Sequence, residues 1–387
     1  MSKLKQLNRK NNGSMKWDLE YIQPRFGTKQ TKVYPLFIAD MDYQWEPTLL
    51  DKYIEYCNSP DFGYFHVQKN FYDAVVNWYE DIHQLKLEKE WIVPSVGTVT
   101  SMHFLTNIFS KNQGVLYFSP VYGPFSNCAK LGNPVSCFMN LGENLRYWID
   151  WDKLEQSIVL DNITTILFCN PHNPSGQAWS RKELEKLMCL VRKYDLYLFS
   201  DEIHGDLYVG QNRFISMIDL ANEEDKVAVC TSANKTFNLS GLTTSYILTK
   251  HIRIQEQVKD FFSQLHIEVN RMGIEMTTLC YQSGRNWLEI LNEQIKENIS
   301  LLQSILGELP MCQVILPDYG YLVWVKLSEE INSELFVDDL AKKTGVLLEK
   351  GSRFKNNYDQ FIRINVATDP QLLEEALSIT ANFLNNY

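Results

Sequence analysis

The sequence predicts an α/β protein, with a large domain built on a mostly parallel mixed sheet and a smaller α+β domain after it. Three observations lead to this prediction: short apolar runs typical of strands, an amphipathic helix between two of them, and a change of pattern near Asn286. A chain of 387 residues, 45% of them hydrophobic, also favours two domains, because single hydrophobic cores rarely grow that large.

The apolar runs are short and almost free of polar side chains, as strands are when both faces of a sheet are covered. Between two of them, Ser180 and Glu183 form a capping box, and an apolar stripe follows at helical spacing. Alternating strands and helices indicate a largely parallel sheet, whose ligands bind where the strands end. The runs span residues 114–118, 165–169, 196–200, 227–231 and 245–249.

The two ends of the chain differ from this middle part. The first 45 residues look irregular and are rich in turn-forming residues. After Asn286 we expect a long polar helix to about Glu308, strands near 321–325 and 361–366, and a last helix opened by Asp369 and Pro370. The expected division is an N-terminal segment over 1–45 that joins the small domain, a large domain over 46–285, and a C-terminal small domain over 286–387.

Charge and cysteine content restrict the class of partner. The chain has 37 basic and 47 acidic residues, and a net charge of −10 argues against nucleic acid or an anionic membrane as a partner. Its eight cysteines show no C-x-x-C spacing and several lie in apolar runs, which is typical of a reducing compartment. The start lacks the apolar stretch of a secretory signal, and no run reaches the ~18 residues of a membrane span. We expect a cytoplasmic protein.

Several common catalytic motifs are absent from the sequence. It contains no G-x-G-x-x-G, no Walker A motif, no G-x-S-x-G and no H-E-x-x-H. Its seven histidines show no metal-ligand spacing, so no metal site is expected. The simple nicotinamide, nucleotide-triphosphate, serine-hydrolase and zinc-protease interpretations therefore have no support.

Three polar side chains follow strand-like runs. Lys235 stands just past a buried run, where lost hydration would lower its pKa and leave the amine free for a Schiff base. Asp201 could keep a pyridine nitrogen protonated, and the amide of Asn173 could bind a ring oxygen. Each has a simpler explanation when taken alone: a solvated loop lysine, a helix N-cap and a plain turn.

Three further features complete the set. Arg363, in a strand-like run, offers a fork that suits a carboxylate, although it could equally be a surface cation. Residues 95–99 form a glycine-containing turn before a helix, whose free N–H groups suit a phosphate. Tyr122 could stack on a flat ring or simply pack. Together, an anion cradle, an aromatic ring, an amide, a carboxylate, an amine and an arginine fork form the set of groups that pyridoxal phosphate requires.

With these residues the sequence resembles the fold-type I pyridoxal-phosphate enzymes of the class I/II aminotransferase superfamily, over nearly the whole chain. Within that superfamily it looks most like the MalY/PatB-type cystathionine β-lyases, which are C–S lyases. The resemblance implies the aspartate-aminotransferase-like fold and pyridoxal 5′-phosphate as cofactor. The motifs that carry it are Lys16-Trp17, Ile38-Ala-Asp-Met-Asp42, Phe62-Gly-Tyr64, Cys169-Asn-Pro-His-Asn-Pro174, Ser200-Asp-Glu-Ile-His204 and Lys235-Thr-Phe-Asn238.

The resemblance also implies roles for these residues. Lys235 would hold the cofactor as a Schiff base, Asp201 would pair with the pyridine nitrogen, and Tyr122 would stack on the ring as the third member of the catalytic set. Asn173 would bind the 3-oxygen of the ring, with His204 beside it.

The remaining roles concern the phosphate and the substrate. The backbone of Gly97, Thr98 and Val99 and the hydroxyl of Ser232 would hold the phosphate. Tyr64 would reach the phosphate in a neighbouring subunit, which implies a homodimer. Arg363 would bind the α-carboxylate of an amino-acid substrate.

Three functions stay open at this point. The first is β-elimination from L-cystathionine or a related cysteine S-conjugate, which gives thiol, pyruvate and ammonia. The second is transamination by the same residues, and the third is a cofactor-bound regulatory protein. Many aminotransferases carry an arginine soon after the glycine that follows the lysine, but residues 241–244 read Gly-Leu-Thr-Thr. This departure fits the lyase group better.

Overall fold

The chain folds around two main β-sheets of different size. The computed structural model describes residues 4–58, 61, 63–355 and 358–387. The helices are α1 Leu19–Phe26, α2 Pro47–Cys57, α3 Lys69–Trp78, α4 Thr98–Phe109, α5 Pro124–Ala129, α6 Trp151–Leu160, α7 Arg181–Lys193, α8 Met217–Leu220, α9 Ile252–Gln264, α10 Arg271–Ser283, α11 Arg285–Leu306, α12 Ser333–Thr344 and α13 Pro370–Asn385. The strands are β1 Tyr34–Pro35, β2 Ile92–Ser95, β3 Gly114–Ser119, β4 Asn133–Phe138, β5 Asn140–Leu141, β6 Tyr147–Trp148, β7 Ile163–Cys169, β8 Tyr197–Asp201, β9 Val227–Thr231, β10 Ser245–Leu248, β11 Cys312–Ile315, β12 Leu322–Leu327, β13 Val346–Leu347, β14 Glu349–Lys350 and β15 Phe361–Asn365.

The larger sheet has seven strands in the order β2-β10-β9-β8-β7-β3-β4. Neighbouring strands run parallel from β9 to β4, and only β10 runs antiparallel to both of its neighbours. The predicted mostly parallel mixed sheet is therefore confirmed. All five apolar runs form strands of it, with ends that move by one or two residues.

Helices bury both faces of this sheet. Successive side chains of each strand point to opposite sides, so each strand contributes to both buried faces. On one face Phe199 belongs to a cluster that contains Met102 of α4 and Val258 of α9. On the other face Leu198 packs in the main core with Leu187 of α7. Covered on both sides, the strands can be apolar throughout, which explains why the runs were visible in the sequence.

Helix α7 crosses from β7 to β8 and begins as predicted. Glu183 N donates to Ser180 Oγ at 3.4 Å, and Ser180 N donates to Glu183 Oε2 at 2.8 Å. This reciprocal capping box satisfies amide groups that have no partner within the helix. Its exact start matters for the site, because the loop before it carries Asn173.

The smaller sheet has four antiparallel strands in the order β11-β12-β15-β14. Helices α11 and α13 occupy the predicted positions, and Asp369 caps α13 through the amides of Gln371 and Leu372. Although α11 has 22 residues, it is amphipathic and carries several charges. Among the helices of the described residues, none combines the length and apolar character that a membrane crossing requires.

The expectation of an irregular N-terminus is partly wrong. Residues 19–26 form α1 in spite of Pro24, with Asp18 as its N-cap. Ile22 and Phe26 are buried in a cluster with Leu347, a residue far away in the sequence. This tertiary contact outweighs the weak local pattern, which is why a short helix of this kind was not visible in the sequence.

The segment after α1 pairs with residues from the far end of the chain. β1 lies parallel to β13, and Arg25 forms an ion pair with Glu349 at 3.2 Å. These contacts support joining residues 1–45 to the smaller domain. The division at residues 45 and 285 stays a prediction.

The loop between β7 and α7 is docked on the segment that enters β12. Gly176 has a φ of 68°, and its carbonyl accepts from the amides of Asp318 and Tyr319 at 3.0 and 2.9 Å. A Cβ at Gly176 would lie 2.3 Å from Pro317 Cβ, so both the conformation and the space require glycine. This contact fixes the loop that carries Asn173.

We predict that Ser180→Ala destabilises the protein by about 1 kcal/mol, because the cap of α7 is lost. The free energy of unfolding in urea measures this effect. Ser300→Ala, at a mid-helix position of α11, is the matched control and should change that free energy much less. Equal effects of the two changes would show that the capping box contributes nothing particular.

Candidate active site

Lys235 lies four residues beyond the end of β9 and is partly accessible. We use the word cleft for the region that Lys235 shares with Asp201 and Arg363, whose charges act on it. Lys235 Nζ donates to the carbonyl of Ala39 at 2.7 Å. Lost hydration lowers the pKa of Lys235 to about 8; the positive charge of Arg363 acts in the same direction, whereas Asp40 and Asp201 oppose it. The simpler interpretation of a solvated loop lysine is therefore wrong.

Asp201 is the buried last residue of β8, next to β9 in the sheet. Burial raises the pKa of its carboxyl to about 6, while the amide of Ile203 and the charge of Lys235 act against this rise. Ile203 N donates to Asp201 Oδ1 at 3.2 Å. Turns and no helix follow Asp201, so the N-cap interpretation is wrong.

Arg363 projects from β15 and is buried, so the interpretation as a surface cation is wrong. Its Nη1 donates to Asn173 Oδ1 at 3.1 Å and its Nη2 to the carbonyl of Phe37 at 3.0 Å. Its Nε has no hydrogen-bond partner among the described residues. Lost hydration lowers the pKa of Arg363, which nevertheless keeps its charge because a guanidinium titrates far above neutral pH.

Two side chains near Asn173 face the same cleft. Tyr122 N donates to the carbonyl of Asn173 at 3.2 Å, and the Tyr122 side chain remains 39% exposed. His204 is buried, and its Nδ1 has no partner within the described part of the chain. Burial, reinforced by the charges of Lys235 and Arg363, lowers the pKa of His204 to about 3, so its ring is neutral.

The glycine-containing turn lies at the N-terminus of α4, which begins at Thr98. Gly97 has a φ of 108°, and its N–H donates to Ser245 Oγ at 2.8 Å. Thr98 Oγ1 is 3.4 Å from Ser232 Oγ, which brings the predicted hydroxyl of Ser232 to the N-terminus of α4. The first N–H groups of a helix, here those of Thr98 and Val99, lack partners within it and suit an anion.

Tyr64 is the predicted residue that the structure does not bring into this cleft. Its side chain is fully exposed and packs against no other residue in the described part of the chain. Phe62, in the same motif, lies outside the described residues.

Residues 37–42 contribute to the site in a way that the sequence does not predict. Phe37 and Ala39 supply the carbonyl groups that meet Arg363 and Lys235. A backbone carbonyl leaves no mark in a sequence, so no signal identified these two contacts. The motif over residues 38–42 was noticed, but only as a family signature.

The Lys16-Trp17 motif contacts the motif over residues 38–42. Lys16 Nζ and Asp42 Oδ2 form a fully buried ion pair at 2.8 Å, and Trp17 Nε1 donates to Asp42 Oδ1 at 2.7 Å. Lys16 Nζ also donates to the carbonyl of Asp40 at 2.9 Å. The two motifs therefore hold each other and place the backbone of Ala39 against Lys235.

Residues 59–379 match the family described as aminotransferase class I and II. The chain belongs to this family. It is 29% identical over 380 residues to cystathionine β-lyase PatB of Bacillus subtilis, with 94% of this chain and 95% of the relative covered. It is 24% identical over 373 residues to the protein MalY of Escherichia coli, with coverage of 94% and 93%.

The solved structures agree with the sequence relatives. Cystalysin from Treponema denticola, which contains a pyridoxal 5′-phosphate cofactor, superposes with a TM-score of 0.93 at 28% identity, covering 99% of this chain and 98% of that one. The predicted superfamily, the resemblance to the MalY/PatB group and the aspartate-aminotransferase-like fold are thereby confirmed.

We predict that Asp201→Asn stabilises the cofactor-free protein at pH 8 by about 1–3 kcal/mol, at ~1.4 kcal/mol for each pKa unit. The folded pKa near 6 lies above the ordinary value of 3.8, so burying the carboxylate costs stability above pH 6. As the pH falls from 6 to 3.8, the wild-type carboxyl gains its proton and the advantage of the variant disappears. Unfolding free energies at pH 8 and pH 4 test this sign.

Asp225→Asn is the matched control. Asp225 is also buried, but it receives two nitrogens of Arg192 at 2.7–3.2 Å. Its neutralisation should destabilise the protein at pH 8. If Asp201→Asn also destabilises the protein at pH 8, burial of the Asp201 carboxylate does not cost stability as we predict.

Proposed function

We propose that the protein is a pyridoxal-phosphate-dependent C–S β-lyase, which converts L-cystathionine or related cysteine S-conjugates into thiol, pyruvate and ammonia. One observation carries the proposal: an amine of lowered pKa, Lys235, lies beside the buried carboxyl of Asp201 in a cleft that also holds Arg363. The relatives named cystathionine β-lyase span nearly the whole chain and support this choice.

The residues of the cleft fit this cofactor. Buried polar atoms are kept there without partners among the described residues, namely Arg363 Nε and His204 Nδ1. Hydroxyl groups of Thr98 and Ser232 meet at the start of α4. A buried polar group without a partner is costly, so Arg363 Nε and His204 Nδ1 indicate a ligand that carries charge and hydrogen-bonding groups.

The groups that would hold the cofactor come from the carboxyl ends of neighbouring strands. Lys235 would bind it covalently, Asp201 would face its pyridine nitrogen, and Tyr122 would cover its ring. Asn173 would bind the ring oxygen, with the neutral His204 beside it. The residues that would hold the phosphate are Gly97, Thr98, Val99 and Ser232.

When bound, pyridoxal phosphate supplies a sink for the electrons released at the α-carbon of the substrate. With its pKa lowered to about 8, Lys235 would accept the proton from that carbon near neutral pH. Asp201 would hold a proton at the pyridine nitrogen. Arg363, with Nε still available, binds the α-carboxylate.

Transamination is the second candidate, because the chain belongs to the aminotransferase class I and II family. The same lysine, carboxylate and arginine serve both reactions. The absence of arginine in residues 241–244 favours the lyase.

The proposed working form is a cytoplasmic homodimer that acts on a small amino-acid substrate. The fully exposed ring of Tyr64 supports the dimer, because an aromatic side chain that contacts none of the described residues of its own chain suits a neighbouring subunit. The cysteines, free in this structure, support a reducing compartment.

We predict that the cofactor-loaded protein releases pyruvate and free thiol in equal amounts from L-cystathionine, without any 2-oxo acid. Lys235→Ala should lower this rate by on the order of 10³-fold, because the base is lost. The assay measures both products over time. Lys182→Ala, at an exposed lysine of α7, is the matched control and should retain the activity.

Two results would decide against the lyase. If neither product forms, and amino acids convert the bound cofactor to pyridoxamine phosphate, the protein is an aminotransferase. If Lys182→Ala lowers the rate as much as Lys235→Ala does, the assigned base is wrong.

We predict that the inactive variants Lys235→Ala and Tyr64→Ala complement each other when they are mixed and allowed to exchange subunits. Each hybrid dimer then has one site with Lys235 from one subunit and Tyr64 from the other, so about one quarter of the wild-type activity returns. Activity of the mixture and mass by light scattering measure this. A monomeric mass, or no recovery among exchanged dimers, contradicts a shared site.

A further inference from the structure

Asp206 is a nearly buried carboxylate outside the set of groups described above. Its side chain is 11% exposed and accepts three hydrogen bonds. Trp78 Nε1 and His83 Nε2 donate to Oδ1 at 3.1 and 2.9 Å, and Thr236 Oγ1 donates to Oδ2 at 2.7 Å. Thr236 directly follows Lys235 in the chain, so this carboxylate is one residue away from the proposed reactive amine.

Thr236 is held from two sides. Its hydroxyl donates to Asp206, and its carbonyl accepts from Trp287 Nε1 at 3.0 Å. The residue is completely buried. Its side chain therefore cannot turn without leaving Asp206 Oδ2, on a nearly buried side chain, short of a donor, and the backbone of Lys235 is fixed with it.

The loop that carries Asp206 also begins with Asp201. Two short turns close this loop, since Gly205 N donates to the carbonyl of Glu202 at 3.0 Å and Leu207 N to that of His204 at 3.2 Å. One compact loop therefore presents a carboxyl group to the cleft at one end and holds the neighbour of Lys235 at the other. This arrangement links the position of the Asp201 carboxyl group to that of the Lys235 amine.

Asp206 is also held from outside the cleft, by His83 and Trp78. His83 ends the π-helical segment Tyr79–His83, which continues α3. Trp78, the last residue of α3, donates to the same oxygen of Asp206. π-helical turns often mark positions where a helix is adapted to a functional site.

We propose that Asp206 is a positioning residue, whose hydrogen bond to Thr236, braced by His83 and Trp78, sets where Lys235 stands relative to Asp201. The inference rests on the proposed function, in which Lys235 carries the cofactor. The charged groups that act on Lys235 itself are Asp40, Asp201 and Arg363. Asp206 is not one of them, so its influence would pass through Thr236 and through geometry.

The test measures the pH midpoint of the absorbance change of the lysine-bound cofactor in the holoenzyme. Thr236→Val and Asp206→Asn should raise this midpoint by about half a unit or more, because a loosened lysine nitrogen gains hydration and its protonated form is favoured. Thr236→Ser keeps the hydroxyl and should restore the wild-type midpoint. Asp225→Asn, a buried carboxylate elsewhere, should lower the melting temperature and leave the midpoint unchanged.

A midpoint that stays constant in Thr236→Val and Asp206→Asn while their melting temperatures fall would overturn the proposal and make Asp206 a purely structural acceptor. His83→Gln is a milder variant, included in case Thr236→Val or Asp206→Asn does not fold. It removes the imidazole that donates to Asp206 and keeps a polar side chain. It should shift the midpoint in the same direction, and no shift would also count against the proposal. A wild-type protein that forms no lysine-bound cofactor would instead overturn the proposed function, and the inference with it.

Discussion

The site depends on the parallel pairing of β7, β8 and β9. In this register Cys169 lies opposite Asp201, and Asp201 lies opposite Cys230. Neighbouring strands are ~4.8 Å apart, so residues that follow their carboxyl ends meet at one edge. The same packing removes water from Asp201 and Lys235, and it moves their pKa values toward each other, to about 6 and about 8. Shared burial therefore brings both pKa values closer to neutral pH, as is common for groups in functional sites.

A second constraint is the contact between the two sheets. Arg363 comes from the smaller sheet and reaches Asn173 on a loop of the larger one, 190 residues earlier in the chain. The docking of Gly176 on the segment before β12 holds that loop in place. Arg363 is therefore buried at the cleft with its Nε free to donate to a ligand. An arginine on an exposed strand would be hydrated and less firmly oriented.

The N-terminal segment reaches the site through a buried ion pair. Lys16 and Asp42 have no exposed surface, and burying such a pair gives little net stability. The pair does place the carbonyl of Ala39 against Lys235 and that of Asp40 against Lys16 itself. We interpret it as a means of orienting backbone acceptors toward the amine, comparable in purpose to the anchoring of Thr236 by Asp206.

The sequence by itself determined the elements whose signals are local. Five of the seven strands of the central sheet, the capping box of α7 and the start of α13 were visible as patterns within one element. The motifs around Lys235, Asp201 and Arg363 also identified the family. Only the tertiary structure decided what meets them: the carbonyls of Phe37 and Ala39, the anchor of Asp206 on Thr236, and helix α1. The reason is physical, because these features depend on backbone atoms or on partners far away in the chain, and neither leaves a periodic trace in a sequence.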